Sequence, residues 1–439
     1  MPARSEISYF GAGPAGLPTS VLETAAKSLV NHNDTGLGLA EHSHRSALAS
    51  GILEDAKAHL ASYLDIPADY DILFMQGGGS GEFSATLYNF VGFWVEKRRL
   101  EIVKALGTDD EAVVAAALKK AVEEELKVDY LVTGSWSLKA SQEAARLLGP
   151  EHVNVAADSR TTNNGKFGDI PEESTWALSK APAFTYFCDN ETVDGVEFPA
   201  FPAAIDDGRV VVADMSSNIL SRRIPVSKYA AIFFGAQKNL GTAGITVVVI
   251  RKSLLPPSLA TPSAKLMRQL GLPIPPIILD YATIAKNNSL YNTLSVFDVY
   301  IADLVLQSLL ATYPNKVDGQ QAVSEQKAKA IYSALEAHPQ VYEVSTHHPF
   351  LFVTPPCTAQ LNPPQIVPHT SARSRMNICF RIIAPKAEAD FLAGATALGL
   401  QGLKGHRSVG GIRASNYNSV SVSSAEKLAT YLGAFATGA

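Results

Sequence analysis

Cysteine is scarce in this chain. Cys188, Cys357 and Cys379 are the only three in 439 residues, they lie far apart, and no pair has zinc-ligand spacing. A disulfide framework and a structural zinc site are therefore excluded, and a reducing compartment is expected. Charge is also thin: 18% of residues are charged and the formal net charge is −5. That balance leaves no basic footprint for nucleic acid. No uninterrupted apolar run reaches membrane-spanning length, and the opening MPARSEISYFGAGPAG lacks the apolar core of a signal peptide. The expected setting is cytoplasmic, with no membrane and no nucleic-acid partner. Hydrophobic residues make up 46% of the chain, enough for two packed domains.

The most informative stretch is RVVVADMSSNILSRRIPVSKYAAIFFGAQKNLGTAGITVVVIR, residues 209–251. Its three apolar runs, 210–213, 231–234 and 245–250, are short, β-branched or aromatic, and interrupted by Gly, Pro or polar residues, so strands are expected. Asp214 ends the first run and Lys238 follows the second. In one α/β sheet, both would face the crevice at the strand ends. A lysine amine there can form a Schiff base with pyridoxal phosphate, and an aspartate can hold the pyridine nitrogen protonated. The plainer reading is a surface lysine in a loop and an aspartate capping a turn.

Upstream, 11–18 reads as a loop, followed by a helix with Ser20 and Glu23 as a capping box and Leu22, Ala26 and Leu29 on one side. A second helix carries Leu53, Ala56, Leu60 and Leu64 at helical spacing, with His44 and Arg45 just before it. A basic group at a helix start makes sense when an anion binds there. Residues 71–75 read as a strand, Gly77-Gly78-Gly79-Ser80-Gly81 as a tight turn and 82–91 as a helix. Together they make an anion cradle of backbone N–H groups. The stretch has neither the GxGxxG spacing nor the Walker lysine, which counts against dinucleotide and nucleoside-triphosphate binding. Residues 96–126 read as solvated helix. Trp136, after a short strand at 129–132, is either a core indole or a face for a flat ring. Further strands are expected at 152–156 and 183–188, the latter ending in Asp189-Asn190-Glu191-Thr192. This strand–helix alternation implies one large, mostly parallel sheet.

Residues 256–276 read as irregular, 287–293 as a polar loop and 297–310 as helix. After about 316 the texture changes: helix at 323–336, strand at 350–354, a Pro-containing loop at 357–373, strand at 376–383, helix at 386–398 and a strand at 410–414. Ser423 and Glu426 are expected to cap the last helix. The stretch Gly405-His406-Arg407-Ser408-Val409-Gly410-Gly411-Ile412-Arg413 places two arginines and a histidine among glycines. Arginine suits bidentate grip on carboxylate or phosphate; a solvated basic patch is the alternative.

The ordered set of these pieces closely resembles phosphoserine aminotransferases, among the fold type I pyridoxal-phosphate enzymes of class V. The resemblance runs from Phe10-Gly11-Ala12-Gly13-Pro14-Ala15 to Tyr417 and rests on Ser43-His44-Arg45, the 77–81 glycines, Cys188-Asp189-Asn190-Glu191-Thr192, Ala213-Asp214-Met215-Ser216-Ser217, Gly235-Ala236-Gln237-Lys238-Asn239 and Gly405-His406-Arg407. It implies a large α/β domain with a mostly parallel central sheet, 18–320, and a small α/β C-terminal domain, 321–439, with residues 1–17 packed on the latter. It implies Lys238 as the Schiff-base lysine, Asp214 as partner of the pyridine nitrogen, Trp136 stacked on the ring and Thr192 on its phenolic side. Gly79, Ser80 and Gln237 would hold the cofactor phosphate, completed by Asn292 and Thr293 from a second subunit. His44 and Arg45, again from the second subunit, with His406 and Arg407 would hold the substrate phosphate, and Arg413 the α-carboxylate. An obligate homodimer with shared active sites follows, acting on glutamate, phosphoserine and 3-phosphohydroxypyruvate. No metal is implied.

Position 80 departs from bacterial members that place arginine there, and 96–126, 256–276 and 355–369 resemble insertions. The nearest alternatives are another class V enzyme, such as a serine–glyoxylate aminotransferase, and a cysteine desulfurase. The latter needs a mobile cysteine in a glycine-rich loop, which neither Cys357 nor Cys379 has. A noncatalytic scaffold would not need the lysine, aspartate and arginines together.

Overall fold

The structure, a computed structural model, describes residues 2–343, 370–384 and 386–438. The strand expected at 350–354, Cys357 and most of the loop at 357–373 lie outside them. Among the described residues, seven strands form the central sheet: β1 (Tyr70–Met75), β2 (Val128–Val132), β3 (Val153–Asp158), β4 (Thr185–Cys188), β5 (Val211–Asp214), β6 (Ala231–Gly235) and β7 (Thr246–Arg251). Their spatial order is β1-β7-β6-β5-β4-β2-β3. β7 runs antiparallel to both neighbours, and the remaining pairs are parallel.

The strands read as near-continuous apolar runs because helices cover both faces. Phe187, Ala213, Ile232 and Val247 point into one core, against helix Ala47–Leu64. The alternate residues Tyr186, Val212, Phe233 and Val248 point into the other, against helix Gly78–Leu106. Each fully buried side chain of this size contributes about 1.5–3 kcal/mol. The two layers thereby fix where each strand ends, and so where the side chains just beyond those ends sit.

Residues 8–9 and the C-terminal elements make a second, smaller assembly. Ser8–Tyr9 pairs in parallel with Leu400–Gln401. A three-stranded antiparallel sheet of Tyr342–Glu343, Asn377–Ile382 and Ile412–Ser415 packs with helices Val317–Glu336, Ala387–Ala397 and Val422–Thr437. Its core includes Phe10, Phe380, Phe391 and Tyr431.

Several local expectations are corrected. The first helix is Thr19–Val30, and no side chain caps it; Ser20 lies inside it. Its buried stripe is Val21, Ala25 and Ser28, because Val21 and Ala25 meet Ile301 and Val305, while Leu29 is exposed. The last helix is capped by Ser421, whose Oγ accepts the Ser424 N–H at 3.1 Å, so Ser423 is also interior. The 77–81 glycines form the start of helix Gly78–Leu106. Residues 96–126 divide into the end of that helix, a left-handed Gly107 and a second helix, Glu111–Glu125, capped by Asp110. Most of these residues are exposed, as expected, but one stripe is not: Glu96 is buried against Arg99 at 2.7 Å, and Val114, Leu118 and Val122 join the core. The stretch 256–276 contains a short helix, Ala264–Gln269.

Candidate active site

The carboxyl ends of β1, β2, β4, β5 and β6 open on one cleft of about 620 Å³. It is lined by Gly13, Gly77, Gly78, Trp136, Thr192, Gln237, Lys238, Thr246, His406 and Arg413, among others. A crevice at this edge is where open α/β sheets bind ligands. A second cleft, about 700 Å³, lies at the opposite ends of the strands beside Lys127, Ala183 and Val210 and holds no lysine–aspartate pair.

Lys238 projects from the turn after β6, and its Nζ donates to Thr192 Oγ1 at 2.6 Å. Burial holds the Lys238 amine below the usual lysine range, and the Asp214 carboxylate opposes that shift. Asp214 ends β5 with only 5% exposure. Its Oδ1 accepts the Ser216 N–H at 2.8 Å, and its Oδ2 lies 3.8 Å from where a Cβ on Gly79 would be. Burial pushes this carboxyl up; the Ser216 hydrogen bond and Lys238 pull it back. Each of the pair is thus short of a counter-charge, and a bound cation beside Asp214 would favour its ionised form.

At the glycine turn, the Gly78 N–H donates to Thr246 Oγ1 at 2.9 Å. The N–H groups of Gly79 and Ser80 have no acceptor among the described residues. Unsatisfied donors at the start of a 29-residue helix form an anion site. Trp136 opens helix Ser135–Leu148 with its indole on the cleft. Amine, acid, flat ring and helix start therefore match the aldehyde, ring nitrogen, ring face and phosphate of pyridoxal phosphate.

On the cleft's other side, Arg413 Nη1 donates to Thr192 O at 3.2 Å and its buried Nε has no partner. No carboxylate lies within ion-pair distance of Arg413, Arg407 or Arg45 among the described residues. His406 also lines the cleft, with Nδ1 2.6 Å from Ser408 Oγ. Burial lowers its pKa, as do Arg413, Lys139 and Arg407. Such unpaired positive charge suits an anionic ligand.

The structure thus gathers Lys238, Trp136, Thr192, Gln237, His406 and Arg413 on the lining of one cleft; Gly79, next in the chain to the lining residue Gly78, and Asp214, whose Oδ2 lies 3.8 Å from a Cβ on Gly79, sit behind that lining. Ser80 and Arg407 are exposed and do not line it, although each adjoins its lining segments in sequence. It does not bring His44, Arg45, Asn292 or Thr293 to the lining. His44 and Arg45 sit before helix Ala47–Leu64, Asn292 Nδ2 donates to Gln76 Oε1 at 2.6 Å, and Arg45, Asn292 and Thr293 are exposed. Cys379 lies inside strand Asn377–Ile382, where burial pushes its thiol up to about 12, unlike a desulfurase nucleophile. Sequence reasoning missed Thr246 altogether, gave Ser216 no role, and read Gly78 only as one of the cradle glycines. The Met-Ser-Ser run after Asp214 was a usable signal for Ser216, but the direction of β7, which brings in Thr246, was not legible.

The fold and this site define a class-V aminotransferase: the family model "Aminotransferase class-V" matches residues 7–120 and 102–350. The phosphoserine aminotransferase of Saccharomyces cerevisiae is 42% identical over 99% of this chain and 98% of its own. The solved phosphoserine aminotransferase from Bacillus circulans subsp. alkalophilus superposes with a TM-score of 0.77 at 32% identity, over 98% of each chain. A pyridoxal-phosphate-bound phosphoserine aminotransferase from Trichomonas vaginalis gives 0.73 at 32% identity, over 97% of this chain and 99% of its own. The chain belongs to the phosphoserine aminotransferase family, and it is a pyridoxal-phosphate-dependent aminotransferase. No single helix among the described residues is long and apolar enough to cross a membrane.

Proposed function

We propose that the cleft interconverts L-glutamate plus 3-phosphohydroxypyruvate and 2-oxoglutarate plus O-phospho-L-serine, with the residue roles that follow. The observation that carries this is the Lys238 amine on Thr192 Oγ1, facing an arginine, Arg413, that has no carboxylate partner. Pyridoxal phosphate, when bound, supplies the electron withdrawal that lets an amino acid's α-carbon release its proton. Lys238 Nζ, held toward the neutral form by burial, is the base that takes that proton. Thr192 Oγ1 keeps the amine aimed. Asp214 supplies the anion for the ring nitrogen, Trp136 the stacking face, and Gly79, Ser80 and Gln237 the phosphate contacts. Arg413 grips the α-carboxylate, and His406 and Arg407 the substrate phosphate.

His44, Arg45, Asn292 and Thr293 are supplied by a second copy of the chain in a homodimer. This accounts for basic and amide groups that lie outside the cleft formed by one chain. The two units are 18–320 and 321–439, with 1–17 on the smaller, and the enzyme works in the cytoplasm in serine biosynthesis.

The test is an absorbance spectrum of purified protein supplied with pyridoxal phosphate, followed by phosphoserine or alanine. A visible band that phosphoserine removes and alanine leaves supports the reading. No band in excess cofactor overturns the role of Lys238, and equal responses to both amino acids overturn the phosphate site.

A further inference from the structure

Strand β4 runs on into a short two-stranded tongue. Asn190–Glu191 pairs antiparallel with Val196–Glu197, and the turn between them carries Thr192 and Asp194. From this tongue two carboxylates reach the start of helix Ser135–Leu148. Glu191 Oε2 accepts the Trp136 N–H at 2.8 Å, and its Oε1 accepts the Ser137 N–H at 2.9 Å and the Ser137 hydroxyl at 2.5 Å. Asp194 Oδ2 accepts the Ser135 N–H at 2.7 Å. Three successive orphan donors of the helix's first turn therefore end on one tongue. The residue in the N-cap position, Gly134, makes no side-chain cap. Capping usually comes from that position; here it comes from 55 residues away.

Gly134 shows that the arrangement is built. Its φ is −170°, extended backbone that any residue adopts, so conformation does not require glycine. Space does: a Cβ there would lie 2.3 Å from Glu191 Cγ. Glu191 itself is fully buried. The indole Nε1 of Trp136 makes no hydrogen bond among the described residues, so the ring is oriented through its backbone, its packing near Phe83, 6.4 Å between centroids, and Lys139, whose Nζ lies 4.3 Å from the ring centroid. The same tongue offers Thr192 Oγ1 to Lys238 and Thr192 O to Arg413.

We propose that Glu191 is a positioning residue: it clamps the start of helix Ser135–Leu148 and thereby sets Trp136 against the cofactor at a fixed distance from Lys238. The inference rests on the stacking role given to Trp136 above. A carboxylate is needed because both oxygens accept from N–H or O–H groups. In Glu191→Gln the amide nitrogen meets a donor whichever way it is turned.

The experiment titrates cofactor-free protein with pyridoxal phosphate, following tryptophan fluorescence in a Trp94→Phe, Trp176→Phe background. Glu191→Gln is expected to weaken the cofactor Kd about tenfold, as for one buried acceptor turned into a donor, and to reduce the quenching of Trp136. Adding Trp136→Phe, with binding of the tryptophan-free variants followed by the absorbance of the cofactor itself, should bring no further loss of affinity. An unchanged Kd and unchanged quenching overturn the proposal, and so do additive losses in the Glu191→Gln, Trp136→Phe double variant. Amide hydrogen exchange in the unsubstituted cofactor-free protein needs no variant to fold. Slow exchange at Trp136 and Ser137 supports the clamp, whereas exchange at the open-peptide rate overturns it. Should the unsubstituted protein bind no cofactor, the stacking role of Trp136 fails, and the exchange rates alone still decide the clamp.

Discussion

Replacing Glu82 by glutamine should make the cofactor-free protein more stable at pH 8 while leaving it nearly unchanged at pH 5. Glu82 lies in helix Gly78–Leu106, just past the turn whose free N–H groups face the cleft, and it is fully buried. Its Oε2 accepts the Tyr281 hydroxyl at 2.8 Å, and its Oε1 has no partner. Burial, opposed by the Tyr281 hydrogen bond and reinforced by the charge of Asp214, pushes this carboxyl up to about 8. Its ordinary value is 4.5, so between pH 4.5 and about 8 the folded chain keeps a proton that the unfolded chain loses. The folded state then binds more protons, and stability falls as pH rises through that window, by at most about 1.4 kcal/mol per pH unit.

Relaxation around the charged form trims the total, leaving about 2–4 kcal/mol between pH 5 and pH 8. Glutamine matches the neutral acid in shape, still accepts from Tyr281 and never ionises. Urea denaturation of both proteins across pH 5 to 8 reads the difference directly. Glu191 and Asp194 are also pushed up by burial, against the N–H and O–H groups that favour their carboxylate forms, and they act equally in both proteins, so their effects cancel. A gap that does not widen with pH would refute the reasoning, because it would mean that Glu82 is already ionised in the folded protein. A neutral Glu82 also has a functional consequence: it leaves Asp214 as the anion offered to the ring nitrogen, without a second charge on the same buried floor.

Three further outcomes test the site. Lys238→Ala should abolish turnover yet still bind pyridoxal phosphate noncovalently; steady-state transamination by the cofactor-saturated variant would remove Lys238 from its role. Arg413→Lys keeps the charge but loses the planar fork, so KM for glutamate should rise about 10–100-fold, the equivalent of one charge-assisted hydrogen bond. An unchanged KM would mean that the α-carboxylate is held elsewhere. Arg407→Ala should reduce kcat/KM for phosphoserine far more than for an amino acid without a phosphate, and equal losses in parallel assays would exclude a phosphate contact.

Much of this protein was readable before folding was considered. Short apolar β-branched runs bounded by glycine and polar residues favour buried strands over helix, so β4 to β7 and the polar residues beyond them were legible, and with them Lys238 and Asp214 at one sheet edge. The chemistry was legible only through the ordered set of motifs that resembles phosphoserine aminotransferases, since the lysine, the acid and the arginines taken singly also fit a surface lysine, a turn cap and a solvated basic patch.

Tertiary structure decided what depended on a distant partner. Ser421 and Ser423 are equally good caps by composition, and only the chain's path into the last helix selects Ser421. The first helix buries Val21 and Ala25 instead of Leu22 and Ala26 because Ile301 and Val305 lie on that side. The reversed direction of β7 brings Thr246 to Gly78, and the tongue after β4 brings Glu191 to a helix start 55 residues away in sequence. Local sequence fixes which groups a segment offers and its preferred backbone form. Which donor meets which acceptor is set by sheet order and strand direction, and those follow from how the whole chain buries its apolar faces.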